Sequence, residues 1–244
     1  MCYILIPVKK LSEAKSRLSP VLDKNSRQKL SLSMLLDVLS VATRVVDPEN
    51  VIVVSSDIQI SEFLKKMNVS FFHEKGHGLN NAIEEATRAL GSSTEAVLVL
   101  PSDIPFMKLT DLLEILNLGD NDCGRRVVIS PSKNGGTNAL LRQPPDVIPS
   151  IFGKLSFIKH VRTARTLKVP VFIYDSRTIS FDIDTIEDLI VAMKNVDLLG
   201  YHTRRFIKSL KNRIDLDRVK LGEGSSSSFG LIPSGDDTFR SSII

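Results

Sequence analysis

Three carboxylates carry the chemistry this chain suggests. Asp103 follows the apolar run Val97-Leu98-Val99-Leu100 and stands between Pro101 and Pro105. A run of Val and Leu ended by proline reads as a buried parallel strand. In open α/β sheets, ligands sit off the carboxyl ends of such strands. Asp182 and Asp184 stand two residues apart further along. On an extended segment, side chains at i and i+2 share a face, so these carboxylates converge and repel unless a cation stands between them. Hard oxygen donors of this kind suit Mg²⁺, above all when substrate phosphates complete its shell. Each acid also has a plainer reading. Asp103 is then a turn residue capping the next helix, and Asp184 caps a helix opening at Thr185, with Glu187 and Asp188 favoured by its dipole. A cap accounts for one acid of the 182/184 pair but not both, and the three together point to a metal centre of Asp103, Asp182 and Asp184.

Other polar groups cluster where phosphates would need them. Lys9, Lys15 and Arg17 follow the first apolar segment. They are either a solvated basic loop or a clamp for a triphosphate and the pyrophosphate that leaves it. A helix near Ser12 would bring Lys15 and Arg17 to the strand end. Gly135-Gly136-Thr137-Asn138 is either a plain hairpin turn or a cradle whose N–H groups meet anionic oxygens. Gly153-Lys154-Leu155-Ser156-Phe157 leads into a helix, with Ser156 as its expected N-cap and the helix start as an anion site. His160, one turn in, either touches a phosphate or is a half-exposed helix residue. Asn80 and Asn81, after Gly78, and Ser55 are candidates to meet a base or ribose.

Positioning these groups requires alternating strands and helices. Strands are expected at residues 3–8, 51–54, 69–72, 97–100, 127–129 and 169–174. Helices are expected at 25–46, 61–67, 79–90, 110–116, 156–167 and 185–196, with 142–149 irregular and 180–183 a short edge segment. This alternation argues an α/β fold, a mostly parallel sheet with helices on both faces. One core domain is expected over residues 1–200. Beyond it lies a basic C-terminal extension, 201–244, with the Gly/Ser tract 222–228 and partial disorder.

The chain has 244 residues, 42% hydrophobic and 25% charged, enough to bury a core without staples. Cys2 and Cys123 are too few for a disulfide framework or a zinc site and suit a reducing cytosol. The opening MCYILIPVKK reads as a strand, not a leader, and no apolar run reaches the ~18 residues of a membrane span. Residues 201–244 hold eight Lys/Arg against five acids, and residues 1–29 hold seven against two. Basicity gathered at the two ends suits a small polyanion better than a nucleic-acid track. The absence of G-x-x-x-x-G-K-[ST] and of G-x-G-x-x-G excludes a P-loop NTPase and argues against a dinucleotide oxidoreductase. No Ser/His/Asp order or Cys/His pairing suggests covalent catalysis.

Taken in order, Ile-Pro-Val-Lys…Ala-Lys-Ser-Arg-Leu at 6–18, Leu-Pro-Ser-Asp-Ile-Pro at 100–105, Gly-Gly-Thr-Asn-Ala-Leu at 135–140, Gly-x-x-Ser-Phe at 153–157 and Asp-Ile-Asp-Thr at 182–185 form a set. Together they resemble the 2-phospho-L-lactate guanylyltransferases of coenzyme F-420 biosynthesis, relatives of the molybdopterin guanylyltransferases. The similarity spans roughly residues 1–200. It implies a Rossmann-like, glycosyltransferase-A-like nucleotidyltransferase fold. It also implies transfer of GMP from GTP to 2-phospho-L-lactate, with phosphoenolpyruvate or 3-phosphoglycerate as the acceptor in other lineages. Asp103, Asp182 and Asp184 then correspond to Mg²⁺ ligands. Thr137, Gly153 and Ser156, beside Gly136, Asn138 and His160, correspond to the positions around the phosphorylated acid. Lys9, Lys15 and Arg17 would meet the GTP phosphates, with Ser55 and Asn80 toward the nucleoside. The resemblance further implies a cytoplasmic homodimer that engages neither nucleic acid nor membrane. A molybdenum-cofactor guanylyltransferase is the alternative on the same fold, and Lys9-Lys10-Leu11-Ser12 lacks the glycine-rich turn such an enzyme carries.

Overall fold

A computed structural model describes residues 1–120, 124–211 and 240–243. Strands β1 (Cys2–Pro7), β2 (Val51–Ser55), β3 (Ser70–His73), β4 (Ala96–Val99), β5 (Arg126–Pro131), β6 (Thr137–Gln143), β7 (Val171–Asp175) and β8 (Arg240–Ile243) form one sheet in the order β3-β2-β1-β4-β6-β5-β7-β8. The first four strands are parallel, as are β5 and β7, while β6 and β8 run against their neighbours. This is the mostly parallel α/β sheet read from the alternation of elements.

Both faces of the sheet are covered, and the strand sequences explain why. In β2, Val51 and Val53 enter one core cluster and Ile52 and Val54 the other, so an unbroken apolar run is required where each face is buried. Helix α1 (Lys24–Ala42) seals the first face with Leu35, Val38 and Leu39. Helix α2 (Ile58–Leu64) adds Ile60 and Leu64, and α4 (Leu109–Asn117) adds Leu112 and Ile115. On the second face lie α3 (Leu79–Ala89), through Ala82, Ile83 and Ala86, and α5 (Ser156–Thr166), through Val161 and Ala164.

A third cluster sits beneath the strand rim. There Phe106, Phe181 and Ile183 pack with α1 residues Leu30 and Met34 and with α7 (Ile186–Lys194). The rings of Phe106 and Phe181 meet edge to face, with centroids 5.3 Å apart. Helix α8 (Tyr201–Lys211) joins this cluster through Ile207 and Leu210. Its first turn is capped from another element: the Asp37 carboxylate of α1 accepts the N–H groups of His202 and Thr203, both at 2.8 Å. Gly200 is needed at that approach, since a Cβ there would stand 2.3 Å from Asp37 Cγ. The described start of the C-terminal stretch is thus seated on the core. The disorder expected of the tail concerns residues that, apart from β8, lie outside those described.

Several boundaries differ from the sequence reading for local reasons. The Asp57 side chain accepts from Gln59 N–H, so α2 opens at Ile58 rather than 61. Residues 142 and 143, expected to be irregular, extend β6 because Arg142 and Gln143 pair with Val127 and Arg126. The edge segment expected at 180–183 is instead the end of a one-turn helix, α6 (Arg177–Ser180), followed by an unpaired stretch.

Candidate active site

The acids meet at the carboxyl rim of the sheet. Asp103 lies past the end of β4, and the main-chain N–H of Ile183 donates to the Asp103 carbonyl at 3.2 Å. In Phe181-Asp182-Ile183-Asp184, Phe181 and Ile183 are buried in the third cluster. Alternation therefore turns both carboxylates the other way, toward Asp103. The helix that follows does not need either of them. Thr185 is its N-cap, and Asp188 returns the hydrogen bond in a capping box. Asp184 is left free of the capping role that would explain it on structural grounds.

Lys15 stands among the acids. Its Nζ lies 2.5 Å from Asp103 Oδ2 and 2.8 Å from Asp184 Oδ1, and its side chain is 7% exposed. It reaches them from a left-handed backbone, φ 49° and ψ 43°, between two short 3-10 turns at Leu11–Glu13 and Ser16–Leu18. A non-glycine residue rarely holds that conformation without a local reason. Burial opposes the charge on Lys15, but the two carboxylates prevail and its pKa is raised. Asp184 is held low: burial works against ionisation, and Lys15, with Arg17 and Lys9 further off, outweighs it. Asp182 goes the other way, raised by burial and then by the charge of Asp103.

Lys9 and Arg17 are exposed and add their charge to this rim. The basic loop is pinned from β2's end, where Asp57 Oδ2 accepts the Leu11 N–H at 2.9 Å.

The donor set has the chemistry of a hard-cation site. The donors are carboxylate oxygens, and burial with the neighbouring charge of Asp103 opposes ionisation of Asp182, an opposition a divalent ion would relieve. The ammonium of Lys15 offsets Asp103 and Asp184, and that of Lys133 offsets Asp182. Among the described residues no group of three or more acids, histidines or cysteines is placed to hold a metal ion.

Two residues hold the acid segment: Lys133, outside the expected set, and Asn138, expected beside the phosphorylated acid. Lys133 Nζ donates to the Asp182 carbonyl at 2.7 Å, forms an ion pair with Asp188, and lies over the Phe181 ring at 4.2 Å. Its main-chain N–H also reaches Ser180. Asn138 donates to the Ile179 carbonyl at 2.9 Å and stands 3.5 Å from Asp182 Oδ1. No sequence signal marks Lys133, whose partners lie about fifty positions away.

A second polar group lies on the opposite face of β6. Thr137 precedes Asn138, so strand alternation sends it toward α5. Thr137 Oγ1 accepts from Ser156 Oγ at 3.1 Å and lies 3.1 Å from His160 Nδ1. The first two residues of β6 thus carry the two halves of the site, one on each face.

Several expected roles change. His160 is fully buried, neither half-exposed nor open to a ligand. Ser156 is not the N-cap of α5; Leu155, at φ 56°, holds that place, and Ser156 is the first helical residue. Gly153, at φ 128°, takes a conformation that favours glycine and accepts the Ser156 N–H. The tandem glycines form a turn, because Gly135 N–H donates to the Ser132 carbonyl and Gly136 N–H to Ser132 Oγ. Those donors are spent and cannot cradle an anion. Ser55 is fully buried and accepts the Asp57 N–H, so it does not line a pocket. Asn80 donates to the Phe152 carbonyl at 3.1 Å and accepts the Phe152 N–H at 2.7 Å, a clamp on the loop before α5. Asn81 turns back to the His77 carbonyl.

Comparison with known proteins adds four findings. The family model described as "Guanylyl transferase CofC like" matches residues 1–227. A 2-phospho-L-lactate guanylyltransferase of Methanothermobacter thermautotrophicus is 35% identical over 208 residues, 85% of this chain and 90% of that protein. A phosphoenolpyruvate guanylyltransferase of Rubrobacter xylanophilus is 38% identical over 190 residues, 77% of this chain and 91% of that protein. Among solved structures, a putative nucleotide-diphospho-sugar transferase from Desulfovibrio desulfuricans superposes with a TM-score of 0.71 at 20% identity, over 86% of this chain and 95% of that one. At that identity the likeness shows the nucleotidyltransferase fold alone.

Proposed function

The chain belongs to the family of CofC-like guanylyl transferases, and from that premise we propose that it joins GMP from GTP to 2-phospho-L-lactate, releasing pyrophosphate. The product would be lactyl-2-diphospho-5′-guanosine. The observation that carries this reading is the meeting of Asp103, Asp182, Asp184 and Lys15 at one rim, with Asn138, 3.5 Å from Asp182, next in the chain to Thr137 of the Thr137–Ser156 hydroxyl pair. An acceptor phosphate oxygen is already ionised near neutral pH, so attack on the α-phosphorus of GTP needs no strong general base. Catalysis then falls to positioning and to neutralising charge in the transition state.

In this reading Lys9 and Arg17 meet the triphosphate and its leaving pyrophosphate, and Thr137, Gly153 and Ser156 take the phosphorylated acid. Asp103, Asp182 and Asp184 would hold Mg²⁺, which when bound supplies positive charge against the nucleotide's phosphates. Lys15 holds Asp103 and Asp184 together and favours the ionised form of Asp184. A homodimer is part of the same proposal.

A second acceptor has its own support. Phosphoenolpyruvate differs from 2-phospholactate by one double bond, and the Rubrobacter relative is named for it. The Methanothermobacter relative, named for 2-phospholactate, is 35% identical and the Rubrobacter relative 38%, so an assay rather than similarity chooses between the two acceptors. Pyrophosphate release, measured with each nucleoside triphosphate against each phosphorylated three-carbon acid, with and without Mg²⁺, tests the whole reading. GTP with 2-phospholactate and Mg²⁺ should be the fastest combination. Equal release without any acid would make the chain a hydrolase and end the proposal.

A further inference from the structure

Behind the Thr137–Ser156 pair lies a histidine whose hydrogen bonds leave it one tautomer. The main-chain N–H of Ile151 points at His160 Nε2 at 2.9 Å. A backbone amide donates and never accepts, so Nε2 carries no proton. Burial and then the nearby Arg142 push the imidazole pKa down to about 4, which keeps the ring neutral at pH 7. The one remaining proton is therefore on Nδ1, and it donates to Thr137 Oγ1 at 3.1 Å. The ring cannot turn away freely, since Phe152 meets it edge to face with centroids 5.1 Å apart and Asn80 clamps Phe152's backbone from both sides.

Thr137 Oγ1 consequently receives two hydrogen bonds, from His160 Nδ1–H and from Ser156 O–H. A hydroxyl has two acceptor lone pairs and one proton, so its own proton must point away from both donors. Of the three side chains His160 has no exposure, Ser156 1% and Thr137 7%. The threonine is the most exposed of the three.

We infer that His160 is a positioning residue for the acceptor: by filling a lone pair of Thr137, it fixes that hydroxyl as a hydrogen-bond donor to the anionic oxygens of the phosphorylated acid. The inference rests on the proposed reading that Thr137 and Ser156 bind that acid. His160 itself touches no substrate.

Two substitutions separate this role from packing. In His160→Asn, an amide N–H can stand where Nδ1 is and keep the donor to Thr137, while the link to Ile151 is lost. His160→Gln keeps an acceptor for Ile151 and loses the donor to Thr137. With GTP saturating, His160→Gln should raise the KM for the acid about tenfold, the scale of one lost hydrogen bond to a charged group. His160→Asn should raise it by less than about threefold by retaining that bond. The KM for GTP and kcat should stay near wild type in both. Equal effects of Asn and Gln on the acid KM, or a parallel shift in the GTP KM, would overturn the role. In Thr137→Val/His160→Gln the acid KM should be no higher than in Thr137→Val alone. Should Thr137→Val leave the acid KM unmoved, the acid-site reading itself fails, which distinguishes the two failures. A measurement on the unaltered protein guards against unfolded variants: ¹⁵N shifts of His160 at pH 7 should report a neutral, Nδ1-protonated ring. A proton on Nε2, or a charged ring, would overturn the inference.

Discussion

Replacing Lys15 with methionine keeps most of the side-chain volume and removes the ammonium that joins Asp103 to Asp184. Stripping one partner from a buried ion pair costs about 3–5 kcal/mol, because the remaining charge is left uncompensated. Here solvent takes part of that load: the Asp103 side chain is 24% exposed and that of Asp184 40%. Screening of this kind brings the expected loss to about 2 kcal/mol, and for a chain of this size that is a fall in Tm of about 4–8 °C. Urea unfolding should show the same loss with an unchanged m-value. The cause is testable by a cycle with Asp184→Asn. If Lys15 acts by offsetting that carboxylate, the double variant should lose less than the two single losses combined, with a coupling of about 1 kcal/mol. Millimolar Mg²⁺ should stabilise Lys15→Met more than the wild type, as a divalent ion takes over the neutralisation. Turnover should fall in the variant at all Mg²⁺ concentrations, since the acids lose their alignment. Additive single effects, or a Lys15→Met protein as stable as wild type, would refute the reasoning.

Further outcomes follow from the same geometry. Asp182→Asn should raise stability by about 0.5–2 kcal/mol while lowering turnover steeply, the trade expected where burial and the charge of Asp103 oppose ionisation of a functional acid; loss of both stability and turnover would assign Asp182 a structural role. Lys133→Met should cost about 3 kcal/mol, since the side chain is 8% exposed and that of its partner Asp188 11%, and should reduce turnover by loosening residues 180–184; thermal melts with pyrophosphate assays check both. His160 makes stability depend on pH. Its folded pKa of about 4 lies below the ordinary 6.5, so the unfolded chain binds the proton more readily. The full stability is present above pH 6.5 and about 3 kcal/mol is lost as pH falls toward 4; a His160→Gln melt series should lack that slope. Gly200→Ala should destabilise by about 1–3 kcal/mol as the new methyl meets the Asp37 side chain that caps α8, while Gly91→Ala, with open space at its Cβ, isolates the cost of positive φ alone.

The residues legible from sequence were those whose chemistry is local. The apolar runs of β1, β2 and β4 had to be strands buried on both faces, and Asp103, standing after such a run between prolines, had to lie at a strand end. The alternation in Phe181-Asp182-Ile183-Asp184 told which way the acids face, and it held although the segment joins no strand. What sequence could not tell was which partner claims a group with several options. Ser55, Asn80 and the Gly135-Gly136 amides have the right types for a ligand, yet each is already bonded within the protein, to the Asp57 N–H, the Phe152 backbone and Ser132 respectively. His160 read as either a phosphate contact or a half-exposed helix residue; only the fold buries it and leaves one tautomer. The union of Lys15 with Asp103 and Asp184 spans 88 and 169 residues, and that of Lys133 with Asp188 spans 55. Residue type and spacing settle the strand periods and the short-range caps, since those depend on neighbours a few positions apart. Which charge meets which is decided only when the sheet order brings distant strand ends to one rim, because Coulomb interactions act through space and leave no period in the chain.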